Sequence, residues 1–171
     1  MTKTMTAGNT TFEFDDQTLS TERLAVLTSA ITALAASKYA EDLLGETRTI
    51  QVLNSNTGSR WVEGKIYLDT KESTAGRYID LTGNKSALTE RGVFIHELVH
   101  LATGKNDLVT IQGTPVDEIN LDQYRDLLAT PASDLLGETV RYTNSIMLEL
   151  FDEQPRGHCN GPINIRTRSP T

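Results

Sequence analysis

Val93-Phe94-Ile95-His96-Glu97-Leu98-Val99-His100-Leu101-Ala102 is the stretch on which the reading of this chain turns. It has no Pro or Gly, and apolar residues flank both histidines. The pattern predicts a helix from about residue 87 to 103, buried on most of its sides. Gly104 follows as a stop able to take the left-handed cap conformation. On a helix, positions i and i+4 lie one above the other, so His96 and His100 share a face. The chain holds three histidines, and this motif uses two of them.

Two imidazoles at that spacing can reach one zinc ion. Glu97 is turned about 100° from His96, so it does not join the pair as a ligand. It can reach a water on the metal and serve as general base. His96 and His100 are therefore the candidate zinc ligands and Glu97 the candidate catalytic base. The plain alternative is a core helix with two hydrogen-bonded histidines and a surface Glu.

Catalytic zinc sites take a third protein ligand. Cys159 is the only cysteine, which excludes a Cys-rich site and an intrachain disulfide. The metzincin spacing asks for Gly at 103 and His or Asp at 106; here stand Thr103 and Asn106, with Gly104 and Asp107 one residue late. Asp117, in Gly113-Thr114-Pro115-Val116-Asp117, is one residue out of register with the aspzincin GTxD element. Glu138, on a final helix opened by Pro131, is the leading candidate. Tyr142 lies one turn on from Glu138 and is a candidate oxyanion donor. Arg141 is a second such candidate, and surface ion pairing of Glu138 with Arg141 is the plain reading. His158 and Cys159 lie in the tail; either could fold back to the metal, and the plain reading is solvent or packing. Trp61 reads as a packing anchor.

Upstream of the motif, Thr11-Phe12-Glu13-Phe14, Thr49-Ile50-Gln51-Val52-Leu53, Lys65-Ile66-Tyr67-Leu68-Asp69 and Tyr78-Ile79-Asp80-Leu81 predict strands. Ser20-Thr21-Glu22 predicts the start of a helix over about 21–37, and a shorter helix is expected around 38–45. Residues 105–125 read as loop. Leu136, Val140, Met147 and Leu150 or Phe151 would form the buried side of the last helix, ended by Pro155 and Gly157. The sum is an α+β fold: a small sheet beside the HExxH helix, with a further C-terminal helix. Residues 1–10 are expected to be a flexible arm, 11–157 the domain and 158–171 a tail.

The 171 residues, 37% hydrophobic and 23% charged, fit one soluble globular domain. No apolar run is long enough to span a membrane. The opening ten residues lack the apolar core of a cleavable secretory signal. Net charge is −7. Residues 107–153 hold 10 acidic and 2 basic groups, and residues 154–171 hold three Arg and no acid. That overall sign disfavours nucleic acid, and the acidic block reads as a solvated surface.

The chain resembles the zincin metallopeptidases and, within them, the NleD-like bacterial effector peptidases. The resemblance spans about residues 18–157. It rests on Thr49-Ile50-Gln51-Val52, Lys65-Ile66-Tyr67-Leu68-Asp69, His96-Glu97-Leu98-Val99-His100 and Glu138-Thr139-Val140-Arg141-Tyr142-Thr143-Asn144 followed by Leu148-Glu149-Leu150. It implies a zincin-like minimal metallopeptidase domain, with His96, His100 and Glu138 holding Zn2+ and Glu97 as base. It implies an effector or toxin that cuts proteins of a target cell, reached without a signal peptide. The partners implied are a protein or peptide substrate, with a secretion-system carrier or an immunity protein besides. A cytoplasmic house-keeping peptidase and a non-catalytic binding protein on the same scaffold are the alternatives.

Overall fold

The computed structural model describes residues 2–71, 77–79, 85–104, 110–111, 114–115 and 138–153. The chain starts with two strands, β1 (Thr2–Ala7) and β2 (Thr10–Asp15). Helices α1 (Thr21–Ala35) and α2 (Ala40–Leu44) follow, and then β3 (Arg48–Ser55). A hairpin comes next, β4 (Arg60–Val62) and β5 (Lys65–Asp69). Two short strands, β6 (Arg77–Ile79) and β7 (Lys85–Ala87), precede α3 (Glu90–Thr103), which carries the HExxH motif. Strands β8 (Thr110–Ile111) and β9 (Thr114–Pro115) form a small ladder, and α4 (Glu138–Phe151) is the last helix among the described residues. This is an α+β fold built on a five-stranded mixed sheet of order β1-β2-β3-β5-β4. Its inner pairs β2–β3 and β3–β5 are parallel, and both outer pairs are antiparallel.

Within the stretch expected to be a flexible arm, residues 2–7 pair with β2 along their whole length. The Thr-rich segment buries little, with Ala7 its one fully buried side chain. Its order comes from backbone hydrogen bonds to β2, a gain that hydrophobic patterning does not report.

The sheet is covered on one face. Phe12, Phe14, Ile50, Val52, Ile66 and Leu68 are buried on that face, while Thr49 and Gln51 face outward between them, the period-2 alternation of a one-sided sheet. Leu24, Leu27, Ile31 and Leu34 of α1 pack into the same core. Ser20 caps α1 by accepting a hydrogen bond from the Arg23 backbone N–H at 3.3 Å.

Helix α3 sits at the centre, packed against α1, α2, α4 and the β4–β5 hairpin. This is why seven successive residues, Val93 to Val99, are all buried: every side of the helix meets protein. Thr89 caps it, its Oγ1 accepting from the Gly92 N–H at 3.2 Å. The helix thus begins three residues later than expected; Ala87 belongs to β7. Gly104 ends it at φ 67°, its N–H donating to the His100 carbonyl at 2.9 Å.

One half-buried cation, Arg23, ties the sheet to the start of α3. Arg23 donates from Nε to Glu90 Oε1 at 2.7 Å, from Nη1 to Asn54 Oδ1 at 2.7 Å and from Nη2 to the Leu68 carbonyl at 3.1 Å. Glu153, just after α4, accepts from Thr89 Oγ1 at 3.1 Å and from Arg91 Nε at 3.0 Å, fastening the last helix to the first turn of α3. Among the described residues, no helix is long and apolar enough to cross a membrane.

Candidate metal centre

The motif helix presents its two histidines together. The rings of His96 and His100 lie 4.7 Å apart between centroids, edge to face at 84°. His96 is 3% exposed and Glu97 8%, and His100 is half-buried one turn on. Phe94, Ile95, Leu98 and Val99 around them are all fully buried.

Imidazole nitrogens are a donor type that zinc takes, at about 2.0–2.1 Å, and the motif helix supplies two of them side by side. Among the described residues no group of three or more His, Cys, Asp or Glu side chains surrounds one point. The candidates for a third ligand fall elsewhere. Asp117, His158 and Cys159 lie outside the described residues, and so does the side chain of Glu138. The backbone of Glu138 is the first residue of α4. Its neighbour Thr139 is fully buried, and Thr139 Oγ1 lies 3.5 Å from His100 Nδ1, the direction of that bond following the imidazole tautomer. The N-terminal turn of α4 therefore abuts the histidine pair. Thr103, at the position where metzincins carry Gly, donates its hydroxyl to the Val99 carbonyl at 2.7 Å.

Helix α4 packs against α3, and its buried residues Thr139, Thr143, Ile146 and Met147 fall at helical spacing. Thr143 satisfies its hydroxyl on the Thr139 carbonyl at 2.7 Å. Of the apolar face expected from sequence, Met147 is buried and Leu150 and Phe151 pack at its margin, while Leu136 and the Val140 side chain lie outside what is described. Two threonines thus stand in a buried face where aliphatic residues were expected, and one of them touches the site.

Tyr142 is engaged elsewhere. Its hydroxyl donates to Asp42 Oδ2 of α2 at 2.8 Å, and its ring meets Tyr39 edge-on at 5.6 Å. Burial, with the hydrogen bond to Asp42 behind it, pushes the phenol above the ordinary tyrosine range. Tyr142→Phe is expected to cost about 1 kcal/mol through the lost hydrogen bond. A raised pKa stabilises the fold while the phenol is protonated in both states. The difference between wild type and variant should therefore hold through neutral pH and shrink above about pH 10, where the unfolded phenol ionises. Urea melts at pH 7 and pH 10.5 check this. A loss of turnover of 100-fold at unchanged stability would instead put the phenol in the reaction.

Trp61 is where the structure departs most from expectation. A packing anchor would be buried, but Trp61 is 42% exposed. Its indole stacks on His100, with centroids 6.3 Å apart and planes 21° from parallel. The reason lies in the register. Phe14, Val52, Ile66 and Trp61 stand side by side across the sheet on its covered face. The first three are fully buried. Trp61, on the edge strand, reaches past the margin of the core and lies against the motif helix. The signal for β4 was in the sequence as Glu63-Gly64, a two-residue turn. Both residues have positive φ, 34° and 79°, as a tight hairpin requires.

The edge strand is held by its loop. Arg60 Nη1 donates to Ser55 Oγ at 3.2 Å, to Thr57 Oγ1 at 3.2 Å and to the Gly58 carbonyl at 3.3 Å, with its guanidinium over the Tyr67 ring at 4.3 Å. Asp69 accepts from the Gly58 and Lys71 N–H groups, each at 2.9 Å. Those backbone donors, Lys71 first, lower its carboxyl below the usual range. Comparison with protein-family models and with curated proteins returns no match.

Proposed function

We propose that the protein is a zinc-dependent endopeptidase. The observation that carries this reading is the histidine pair on α3, 4.7 Å apart, with a buried glutamate between them in sequence. His96 and His100 would hold the metal, with Glu138 as third ligand. Support for Glu138 is the contact of its neighbour Thr139 with His100. Zinc, when bound, supplies Lewis acidity and brings the pKa of water down to about 7.

The chain's own residues do the rest. The Glu97 carboxylate takes the proton from the attacking water and returns it to the leaving amine nitrogen. The Thr139 contact orients the His100 ring, a role that neighbours of metal-binding imidazoles commonly fill. The hydroxyl of Tyr142 is held by Asp42, so its proposed part as oxyanion donor requires that bond to open. The resemblance to NleD-like peptidases extends the proposal to an effector or toxin that acts on proteins of a target cell.

Elemental analysis of purified protein tests the centre. One zinc per chain is expected, and Glu138→Ala should weaken zinc affinity at least 10-fold while His96→Ala or His100→Ala removes binding. No zinc after incubation with the metal would end the reading. Full zinc affinity in Glu138→Ala would remove that residue from the site and leave the histidine pair in need of another partner.

A further inference from the structure

Resting on the peptidase reading, we propose that Trp61 selects the substrate: its indole receives a bulky apolar or aromatic side chain of the peptide beside the bond to be cut. The indole is large, apolar and 42% exposed, and it is stacked on His100. One face of the indole lies on His100, and a substrate group beside His100 would meet its exposed remainder without a change of fold. Exposed apolar surface next to the reacting centre gains most when a side chain covers it, and aromatic faces favour aromatic or aliphatic partners.

The position is rigid, which selection requires. Trp61 pairs with Ile66 in the β4–β5 ladder, and Arg60 and Asp69 pin the loop that leads into β4. The neighbouring side chains on the strand, Arg60 and Val62, alternate to the other face of the sheet. On β4 the indole is thus the group turned toward the motif helix. A second role, holding the His100 ring in place, predicts a different result. It would change zinc affinity and turnover equally for every peptide.

Two measurements on the zinc-loaded full chain separate these. The first uses capped hexapeptides with Phe, Leu, Ala or Gly at each position. Wild type should favour Phe and Leu next to the cleaved bond by at least 10-fold in kcat/KM. Trp61→Ala should lose that preference, mainly through KM, its loss on Phe and Leu peptides exceeding its loss on Ala and Gly peptides by at least 10-fold. Trp61→Phe should restore it. An equal loss on all peptides, or no loss, overturns the proposal. The second reads the emission of Trp61, the only tryptophan in the chain, in zinc-loaded Glu97→Gln. A saturable blue shift with Phe peptides and none with Gly peptides is expected. If wild type cleaves nothing but the shift is seen, the peptidase reading fails and recognition by Trp61 stands. If wild type cleaves and neither selectivity nor emission responds, Trp61 is not the selector and the peptidase reading survives.

Discussion

Glu97→Gln is expected to lower peptide turnover by at least 10²-fold and to leave the zinc content at one per chain. The amide has nearly the size and shape of the carboxylate, so the packing around a residue only 8% exposed is kept. What is lost is the ability to take a proton, and a positioned general base is worth about 10²–10⁴ in rate. The histidines are untouched, so the metal should stay. Burial sharpens the test, because a solvent carboxylate cannot readily replace the missing one. Casein or peptide hydrolysis, zinc analysis and a thermal melt on the same preparation give the three readings together. Unchanged turnover in Glu97→Gln would sink the assignment of the base. No turnover in wild type despite bound zinc would favour a binding protein on a metal-stabilised scaffold. Toxicity on expression inside a cell, absent in Glu97→Gln, would separate a delivered toxin from a house-keeping peptidase.

Phe94→Ala should be the most damaging single change to stability, costing about 3–5 kcal/mol. Phe94 is fully buried on α3, two residues before the first histidine, and its ring meets Phe12 of β2 edge-on at 5.9 Å and 61°. It is the point where the motif helix is keyed into the sheet. Truncation leaves a cavity between α3 and β2 that neither rigid element can collapse to fill. Domains of this size are stable by only about 5–15 kcal/mol, so the loss takes a large share of the total. Urea unfolding followed by far-UV circular dichroism measures it. A cost below about 1 kcal/mol would mean that the helix and sheet close over the gap and that α3 is not seated where described. Zinc should recover part of the loss, since binding to the folded state alone adds stability. That recovery should be absent in a double variant lacking His100.

The legible parts of the fold share one property: each is specified by residues close in sequence. Ser20 caps the helix it precedes, Gly104 ends the motif helix, and the alternation of Phe12-Glu13-Phe14 and Ile50-Gln51-Val52 assigns one face of two strands. The relation of His96 to His100 is of the same kind, since four residues along a helix set it without help from the rest of the chain. Strand β1 escaped because its order depends on hydrogen bonds to β2, not on its own Thr-rich pattern. Strand β4 escaped because three exposed residues become a strand only by pairing with β5.

The surroundings of the histidines were decided at longer range. Thr139 reaches His100 across 39 positions and Tyr142 reaches Asp42 across 100. Local periodicity contains neither distance; both follow from how α4 and α2 dock on α3. Trp61 illustrates the difference most plainly. Its residue type and strand alternation set it on the apolar face, which is all that sequence pattern encodes. Whether that face is covered depends on where the helices end above the sheet. Trp61 lies on the edge strand, at the margin of that cover, so the residue that reads as core stands open beside His100. The pairing of the two histidines is thus written in five consecutive residues, and its neighbourhood is set by packing, because burial is a property of the assembled layers and of no single segment.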